Sequence, residues 1–279
     1  MSFKIIVDSC CDFPEAQFKK GTFLRVPLTL ELGDKSIVDD ETFDQTQLLW
    51  MMRTCPDAPK TACPSPAVWL DAFEAAGADD LYVVTLSALL SGSHNSAHQA
   101  RTLWLEEHPN AHLHIFNSCS ASAGEIALAL RIRELAEAGL DFSTVVSRAS
   151  TFTTELKTYF VLEDLDHLRK NGRLTGALSV ITGALRIKLL MGATPEGEIC
   201  KVGQALSVKQ ALGKMVELMA KDPDHEGRTL SIVHCNNVER AFYLKEQVLS
   251  ACKFRRVLVS DARGVTTVYA NDGGVVAAY

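Results

Sequence analysis

The stretch that decides the fold reads Leu81-Tyr82-Val83-Val84-Thr85-Leu86-Ser87-Ala88-Leu89-Leu90-Ser91-Gly92-Ser93-His94-Asn95-Ser96-Ala97. Its first four residues are all apolar, which is typical of a parallel strand that is buried on both faces. From residue 97 to residue 107, apolar and polar residues alternate at helical spacing. The polar segment between them is therefore predicted to be a strand-to-helix turn, with Ser91, Gly92 and Ser93 where the helix begins.

A turn of this kind can bind an anion, because the first N–H groups of a helix are unpaired and the helix dipole is positive at that end. Several hydroxyl side chains, a glycine and His94 are gathered here, and together they point to a negatively charged ligand. The alternative interpretation is a serine helix cap in an ordinary loop.

Two other segments repeat the same pattern of an apolar strand that ends in a polar turn. Residues 3–7 end in Asp8-Ser9, and residues 112–116 end in Asn117-Ser118. Because the carboxyl ends of parallel strands meet at one edge of a sheet, these turns and Ser91 to Ser93 should converge in space. The first part of the chain is therefore predicted to be an α/β domain with a mainly parallel sheet.

Prolines mark the irregular parts of this domain. Pro27 interrupts the apolar run at residues 24–30, which predicts an edge strand or an irregular one. Four prolines between residues 56 and 66 predict a stiff, extended loop that presents Thr61 beside a helix at residues 66–76. Rigid loops that carry hydroxyls often belong to a binding site.

The second half of the chain has its own alternation of strands and helices. A hairpin is predicted at residues 187–191 and 198–202, around the turn Thr194-Pro195-Glu196-Gly197. The other predicted elements are strands at 159–162, 229–234, 256–260 and 275–279 and helices at 163–169, 207–220 and 238–251. We therefore expect two α/β domains, one at residues 1–157 and the other at residues 158–279.

Charge and cysteine content exclude several classes of protein. A net charge of -6 argues against non-specific nucleic-acid binding. No apolar run approaches the ~20 residues that span a bilayer, and residues 1–8 do not read as a signal peptide, so a cytoplasmic protein without a membrane span is expected. The eight cysteines lack C-x-x-C spacing and should stay reduced, which argues against a zinc site, although Cys10, Cys63 and Cys119 lie in the turns of interest.

Six segments together resemble a known family, the DegV family of bacterial fatty-acid-binding proteins. The segments are Asp8-Ser9-Cys10-Cys11-Asp12-Phe13-Pro14 (family D-S-x-x-D-L/F-P), Val26-Pro27-Leu28-Thr29-Leu30 (V-P-L-x-I/L), Thr61-Ala62-Cys63-Pro64-Ser65 (T-S-Q-P-S), Leu90-Ser91-Gly92-Ser93-His94-Asn95-Ser96-Ala97 (L-S-G-S/T-Y-Q-S-A), Asn117-Ser118-Cys119-Ser120-Ala121-Ser122-Ala123-Gly124 (D-S-x-x-A-S-x-G) and residues 165–174 (L-x-x-L-x-K-x-G-R-I/L). Each motif is weak alone, but their common order and spacing from Lys4 to the C terminus is specific.

The resemblance implies a non-catalytic lipid carrier with its ligand at the cleft between the domains. It implies that Thr61, Ala62, Gly92 and Ser93 bind the carboxylate of a long-chain fatty acid, whose tail enters an apolar tunnel in the first domain. By the same resemblance Arg173, Asn271 and Ser118 are expected near the head group. It also implies a partner, a fatty acid kinase that phosphorylates the presented acid, and it implies no metal and no cofactor.

Two segments depart from the family pattern. The family H-x-G-P-G is here Asn271-Asp272-Gly273-Gly274, so a histidine that faces the head group is replaced by Asn271. A basic K-x-R-x-K-K-A cluster is replaced by residues 202–211, which carry a single lysine, Lys209. The second departure removes charge that the kinase would dock against.

Two alternatives belong to other classes of protein. A hydrolase would use Ser93 or Cys119 as nucleophile with His94 or His234 as base, but no G-x-S-x-G elbow is present. A sensor of phosphate-bearing small molecules could use the same helix N-termini, and it would need a polar pocket without a tunnel.

Overall fold

The computed structural model describes residues 2–180 and 187–279. The described strands are β1 (Phe3–Asp8), β2 (Phe23–Val26), β3 (Thr29–Leu32), β4 (Lys35–Val38), β5 (Lys60–Ala62), β6 (Asp80–Thr85), β7 (His112–Asn117), β8 (Thr158–Val161), β9 (Lys188–Ala193), β10 (Ile199–Ala205), β11 (Thr229–His234), β12 (Arg256–Asp261) and β13 (Val275–Ala278). The described helices are α1 (Glu15–Phe18), α2 (Gln45–Thr54), α3 (Pro66–Ala76), α4 (Ser93–Glu107), α5 (Ala123–Glu137), α6 (Phe142–Glu155), α7 (Asp166–Lys170), α8 (Val208–Lys221), α9 (Val238–Ala251) and α10 (Gly264–Ala270), with 3-10 turns at Gly176–Val180 and Pro223–His225.

The first sheet has the strand order β2-β1-β6-β7, and all of its pairings are parallel. The strand β6 is buried along its whole length, as the apolar run in the opening stretch predicted. The edge position of β2 agrees with the prediction from Pro27, because the chain leaves the sheet at this proline. The α/β class with a parallel first sheet is confirmed.

The chain between Pro27 and α3 forms a small antiparallel sheet with the strand order β4-β3-β5. The strand β5 was not predicted, since the proline-rich segment around it favoured an extended loop. Pairing places Thr61 directly opposite Leu30 on β3. Thr61 is therefore held by a sheet and not only by the stiffness of its loop.

The second large sheet has the order β10-β9-β8-β13-β11-β12, with β11 and β12 parallel and the other pairs antiparallel. The hairpin of β9 and β10 confirms the prediction from the Thr194-Pro195-Glu196-Gly197 turn. Helix α8 contacts β9 and helix α9 contacts β11. This sheet is the core of the second half of the chain.

Helix α5 lies between the two large sheets and contacts β1 and β6 of one and β11 and β13 of the other. Ten of its fifteen residues are buried, because both sides of the helix face apolar strands. One apolar cluster accordingly contains Ile5 and Tyr82 together with Val233 and Val276. The domain boundary at residues 157 and 158 stays a prediction. Among residues 2–180 and 187–279, no helix combines the length and apolar character needed to cross a bilayer.

Candidate functional site

The carboxyl ends of β1 and β6 are joined by the buried side chain of Asp8. Its Oδ2 accepts hydrogen bonds from the N–H of Leu86 (3.0 Å) and the hydroxyl of Ser93 (2.7 Å), and its Oδ1 accepts one from the N–H of Cys10 (3.2 Å). Burial raises the pKa of Asp8 above its ordinary value, and these hydrogen bonds oppose the rise. Asp8 therefore fastens the turn before α4 to the end of β1.

Ser93 is the first residue of α4 and is fully buried. Its hydroxyl donates to Asp8, and its N–H donates to Ser91 Oγ (3.2 Å). A hydroxyl has one proton, so Ser93 cannot give that proton to a ligand while it gives it to Asp8. This geometry differs from the predicted role of Ser93 at a ligand carboxylate. Ser91, two residues earlier, lines the cavity described next.

An apolar cavity lies between the two large sheets and encloses about 820 Å³ of atom-free space, part of it open to solvent at the mouth. The large apolar residues of its wall are Leu28, Leu86, Leu90, Phe160, Leu162, Leu168, Ile199, Val265 and Val276. The wall comes from both halves of the chain, whereas the sequence predicted a tunnel within the first domain.

Most hydroxyls in the wall are paired within the protein. Ser120 Oγ and Thr158 Oγ1 are 2.7 Å apart. The hydroxyls of Ser122 and Thr266 both donate to Asp12, each at 2.6 Å. Because these four hydroxyls are already hydrogen-bonded, they add little polarity to the cavity wall.

Two buried carboxyls of the first half of the chain fix α10 in place. Asp39 accepts hydrogen bonds from the N–H groups of Gly264 (3.0 Å) and Val265 (3.1 Å), and Asp12 accepts one from the N–H of Arg263 (2.5 Å). Burial raises the pKa of Asp39, and it raises the pKa of Asp12 to about 7. Helix α10, which carries part of the cavity wall, is thereby attached to the first half of the chain.

The rim of the cavity, which we define as Leu90, Ser91 and Arg173, also borders a depression on the outer surface. The Arg173 guanidinium donates to two backbone carbonyls, those of Leu90 (Nε, 3.2 Å) and Asn171 (Nη1, 2.7 Å). Within residues 2–180 and 187–279, no carboxylate lies within ion-pair distance of it. The rim therefore offers a cation whose charge is not balanced by a neighbouring acid.

Thr61 and Tyr269 line the same cavity, and their hydroxyl oxygens are 2.8 Å apart. The Arg173 guanidinium carbon lies 5.5 Å from the centre of the Tyr269 ring. Thr61 was predicted at this site, and Tyr269 was missed because α10 was not predicted. Its sequence, Gly264-Val265-Thr266-Thr267-Val268-Tyr269-Ala270, is rich in β-branched residues, which favour strands over helices.

Gly92 borders the outer depression beside Ser91. A Cβ at this position would lie 3.0 Å from the Sγ of Cys63, so the close approach of the two turns favours glycine. In the part of the chain that the structure describes, the Gly92 N–H has no acceptor. Ala62, the other predicted backbone donor, lies on β5 next to Thr61 and opposite Thr29.

Two residues predicted near the head group, Ser118 and Asn271, are not among those that line the cavity. Ser118 is fully buried and donates its hydroxyl to the carbonyl of Ser120 (3.1 Å). Asn271 ends α10 with a positive φ of 53°, and its amide donates to Asp164 Oδ2 (3.2 Å). The nearby residues that do line the cavity are Ser120 and Ala270.

The residues of the hydrolase alternative do not form a nucleophile–base pair. His94 Nδ1 lies 3.0 Å from Thr85 Oγ1, and burial lowers the pKa of His94 to about 4. Burial raises the pKa of the Cys119 thiol, and His234 lies near Asp261 (3.5 Å). No group of three or more His, Cys, Asp or Glu side chains in residues 2–180 and 187–279 is placed to hold a metal ion. All eight cysteines are free.

Comparisons with known proteins agree over the full length of the chain. The family model described as "Uncharacterised protein, DegV family" matches residues 2–279. A DegV domain-containing protein of Streptococcus pneumoniae is 32% identical over 281 residues, which cover 100% of this chain and 99% of that protein.

Solved structures with the same fold include three that are described with a fatty acid. A DegV-family protein of Ruminococcus gnavus, described with vaccenic acid, is 41% identical with a TM-score of 0.95 and covers 100% of both chains. The fatty acid kinase B3 protein of Streptococcus pneumoniae, loaded with linoleic acid, is 31% identical with a TM-score of 0.90 and covers 100% of this chain and 99% of that one. A DegV-family protein of Eubacterium eligens, loaded with heptadecanoic acid, is 28% identical with a TM-score of 0.91 and covers 99% of each chain. The chain described here belongs to the DegV family.

Proposed function

We propose that this protein binds one long-chain fatty acid in the cavity, with the carboxylate at the rim and the tail between the two sheets, and performs no chemistry on it. The observation that carries the proposal is the Arg173 guanidinium at the rim of an apolar cavity, whose hydrogen-bond partners among residues 2–180 and 187–279 are backbone carbonyls. The three fatty-acid-loaded relatives support it.

The tail supplies most of the binding free energy in this proposal. Burying a sixteen-carbon tail at ~0.8 kcal/mol per methylene gives roughly 12 kcal/mol of gross transfer free energy. Association costs about 4–15 kcal/mol in lost freedom of motion. The apolar contacts alone are therefore of the size that binding requires, and the head group adds orientation and selectivity.

The head-group site that we propose comprises Thr61 and Arg173, with backbone N–H groups of Ala62 and Gly92. A carboxylate left without donors in an apolar cavity would be strongly disfavoured. Hydrogen bonds from a guanidinium to a carboxylate are roughly twice as strong as neutral ones. Ser93 has a supporting role in this arrangement, because it holds the turn that carries Ser91 and Gly92 through its bond to Asp8.

We also propose that the bound acid is presented to a fatty acid kinase. The support is the 31% identity with the Streptococcus pneumoniae fatty acid kinase B3 protein. Residues 202–211 do not carry the basic cluster of the family, so the docking surface would differ in charge from that of relatives that have it.

The two alternatives are less well supported by the geometry. Ser93 donates to Asp8 and His94 pairs with Thr85, which leaves no activated nucleophile for a hydrolase. A phosphate-bearing ligand would need polar groups along its length, whereas most of the cavity wall is apolar.

The test is to extract the purified protein with organic solvent and identify what is released by mass spectrometry. We expect a long-chain fatty acid at close to one molecule per chain. The extracted protein should then bind hexadecanoic acid in calorimetry and should not bind inorganic phosphate. It should not hydrolyse a p-nitrophenyl acyl ester. Protein that releases no lipid and binds no hexadecanoic acid would contradict the proposal, and ester turnover abolished by Ser93→Ala would favour the hydrolase.

A further inference from the structure

We infer that Tyr269 is a positioning residue. Its hydroxyl donates a hydrogen bond to Thr61 Oγ1, and Thr61 in turn directs its own hydroxyl proton toward a bound carboxylate. The inference deepens the proposed function and rests on it. It predicts that Tyr269 sets the preference for an acid over an uncharged head group on the same tail.

The geometry of the two hydroxyls supports this arrangement. Thr61 Oγ1 and Tyr269 Oη are 2.8 Å apart, and neither has another hydrogen-bond partner among residues 2–180 and 187–279. Either oxygen can donate to the other. An anion accepts hydrogen bonds only, so a carboxylate beside Thr61 selects the state in which Tyr269 donates and Thr61 keeps its proton for the ligand.

Tyr269 is suited to act as a fixed donor. Burial raises the pKa of its hydroxyl, so the group stays protonated at neutral pH. The N-terminus of α10 is held by Asp39 and Asp12, and the Tyr269 ring lies beside the Arg173 guanidinium. The ring position is thus set by contacts that do not involve the hydroxyl.

The consequence is a difference between ligands. A carboxylate needs the Thr61 proton, whereas a primary alcohol can itself donate to Thr61 Oγ1 in either state of the pair. Without the Tyr269 hydroxyl, Thr61 Oγ1 loses the donor that orients and polarises it, so its proton is no longer held toward the ligand. Removing the Tyr269 hydroxyl should therefore weaken the binding of an acid more than that of an alcohol with the same tail.

The experiment compares Tyr269→Phe, Thr61→Val and the double variant in the delipidated full chain. The probes are hexadecanoic acid and hexadecan-1-ol, and the measurement is the Kd of each by calorimetry or by displacement of a fluorescent fatty acid. Tyr243→Phe, on the partly exposed face of α9, is the matched control. We expect Tyr269→Phe to raise the Kd of the acid about 3- to 10-fold, the size of one hydrogen bond, and that of the alcohol less than about 2-fold.

The double variant separates positioning from packing. If Tyr269 acts through Thr61, the double variant should bind the acid no more weakly than Thr61→Val does. Equal losses for the acid and the alcohol, additive losses in the double variant, or an unchanged Kd for Tyr269→Phe would each overturn the inference and leave the proposed function intact. If the parent protein binds neither probe, the proposed function itself fails, and the inference with it.

Discussion

Ionisable side chains behind the cavity wall and at its rim are paired in different ways. Three buried carboxyls, Asp8, Asp12 and Asp39, which we call the acidic floor, lie behind the wall, and each accepts hydrogen bonds from the protein's own N–H or O–H groups. At the rim, Arg173 donates to neutral backbone carbonyls. The comparison indicates that buried carboxyls whose hydrogen bonds are made within the protein maintain the structure, whereas a cation that is paired with neutral carbonyls is available to a ligand.

The largest effect should follow from removing a floor carboxyl, and Asp39→Ala is the sharpest choice. The change leaves the N–H groups of Gly264 and Val265 without acceptors and removes the acid next to the Arg263 guanidinium (3.7 Å). Breaking a buried ionic pair costs about 3–5 kcal/mol, so we expect a loss of that order in the free energy of unfolding in urea. Asp34→Ala, in an exposed turn, should change it by less than about 0.5 kcal/mol. A loss below about 1 kcal/mol for Asp39→Ala would mean that the floor does not stabilise α10.

At the rim, the corresponding change is Arg173→Ala, and its effect should appear in ligand binding. A hydrogen bond to a charged group contributes about 1.5–3 kcal/mol, so the Kd for hexadecanoic acid should rise roughly 10- to 150-fold. The free energy of unfolding should change little. Arg256→Ala, at the exposed start of β12, serves as the control in the same calorimetric titration. A variant at Arg173 with parental affinity would remove the main support for the head-group site.

A change at Ser93 tests whether this residue stabilises the fold through Asp8 of the floor or binds the ligand at the rim. Ser93→Ala leaves Asp8 without one of its donors, which should lower the free energy of unfolding by about 1–3 kcal/mol. Relative to the parent, the Kd of Ser93→Ala for hexadecanoic acid should change less than the Kd of Thr61→Val. Ser250→Ala, on the exposed face of α9, is the control for stability. If Ser93→Ala instead matches Thr61→Val in lost affinity and keeps its stability, then Ser93 binds the carboxylate as the sequence motif implies.

The smallest effect is a pH dependence that originates in Asp12. Burial raises its pKa in the folded protein to about 7, from an ordinary value of 3.8, so between these pH values the folded state binds more protons than the unfolded state. Asp12 therefore adds stability as the pH falls, by at most about 1.4 kcal/mol per pH unit, and this contribution is lost as the pH rises through 7. In urea titrations, the free energy of unfolding of the parent minus that of Asp12→Asn should accordingly increase when the pH is lowered from 7 to 6. A difference that stays constant over this interval would show that Asp12 remains ionised.

The elements of the fold could be predicted where the signal is local. The buried strand β6 follows from four consecutive apolar residues, α3 follows from Pro66 at its first position, and the hairpin of β9 and β10 follows from its turn. The strand β5 and the helix α10 could not be predicted this way. The strand β5 exists because β3 pairs with it, and α10 exists because Asp39 and Asp12, more than two hundred residues away in sequence, accept its first N–H groups.

In the candidate site, too, some residues have a local sequence signal and others do not. The motifs predicted Thr61 and Arg173 at the head-group site, which stays a prediction, and both residues line the cavity. The same motifs could not distinguish Ser91 from Ser93, because the two serines are alike in type and differ only in the direction that the turn gives them. Tyr269 had no motif at all.

Sequence alone determined the α/β class and the strands and helices that have a local signal, because periodicity, prolines and glycines act within a few residues of themselves. Its six motifs, in order, also indicated the DegV family. Tertiary structure decided which hydroxyls face the cavity and which are hydrogen-bonded within the protein. The reason is physical: the partners of Ser93 and Thr61 lie 85 and 208 residues away, and a hydrogen bond forms only when packing brings both atoms to within about 3 Å.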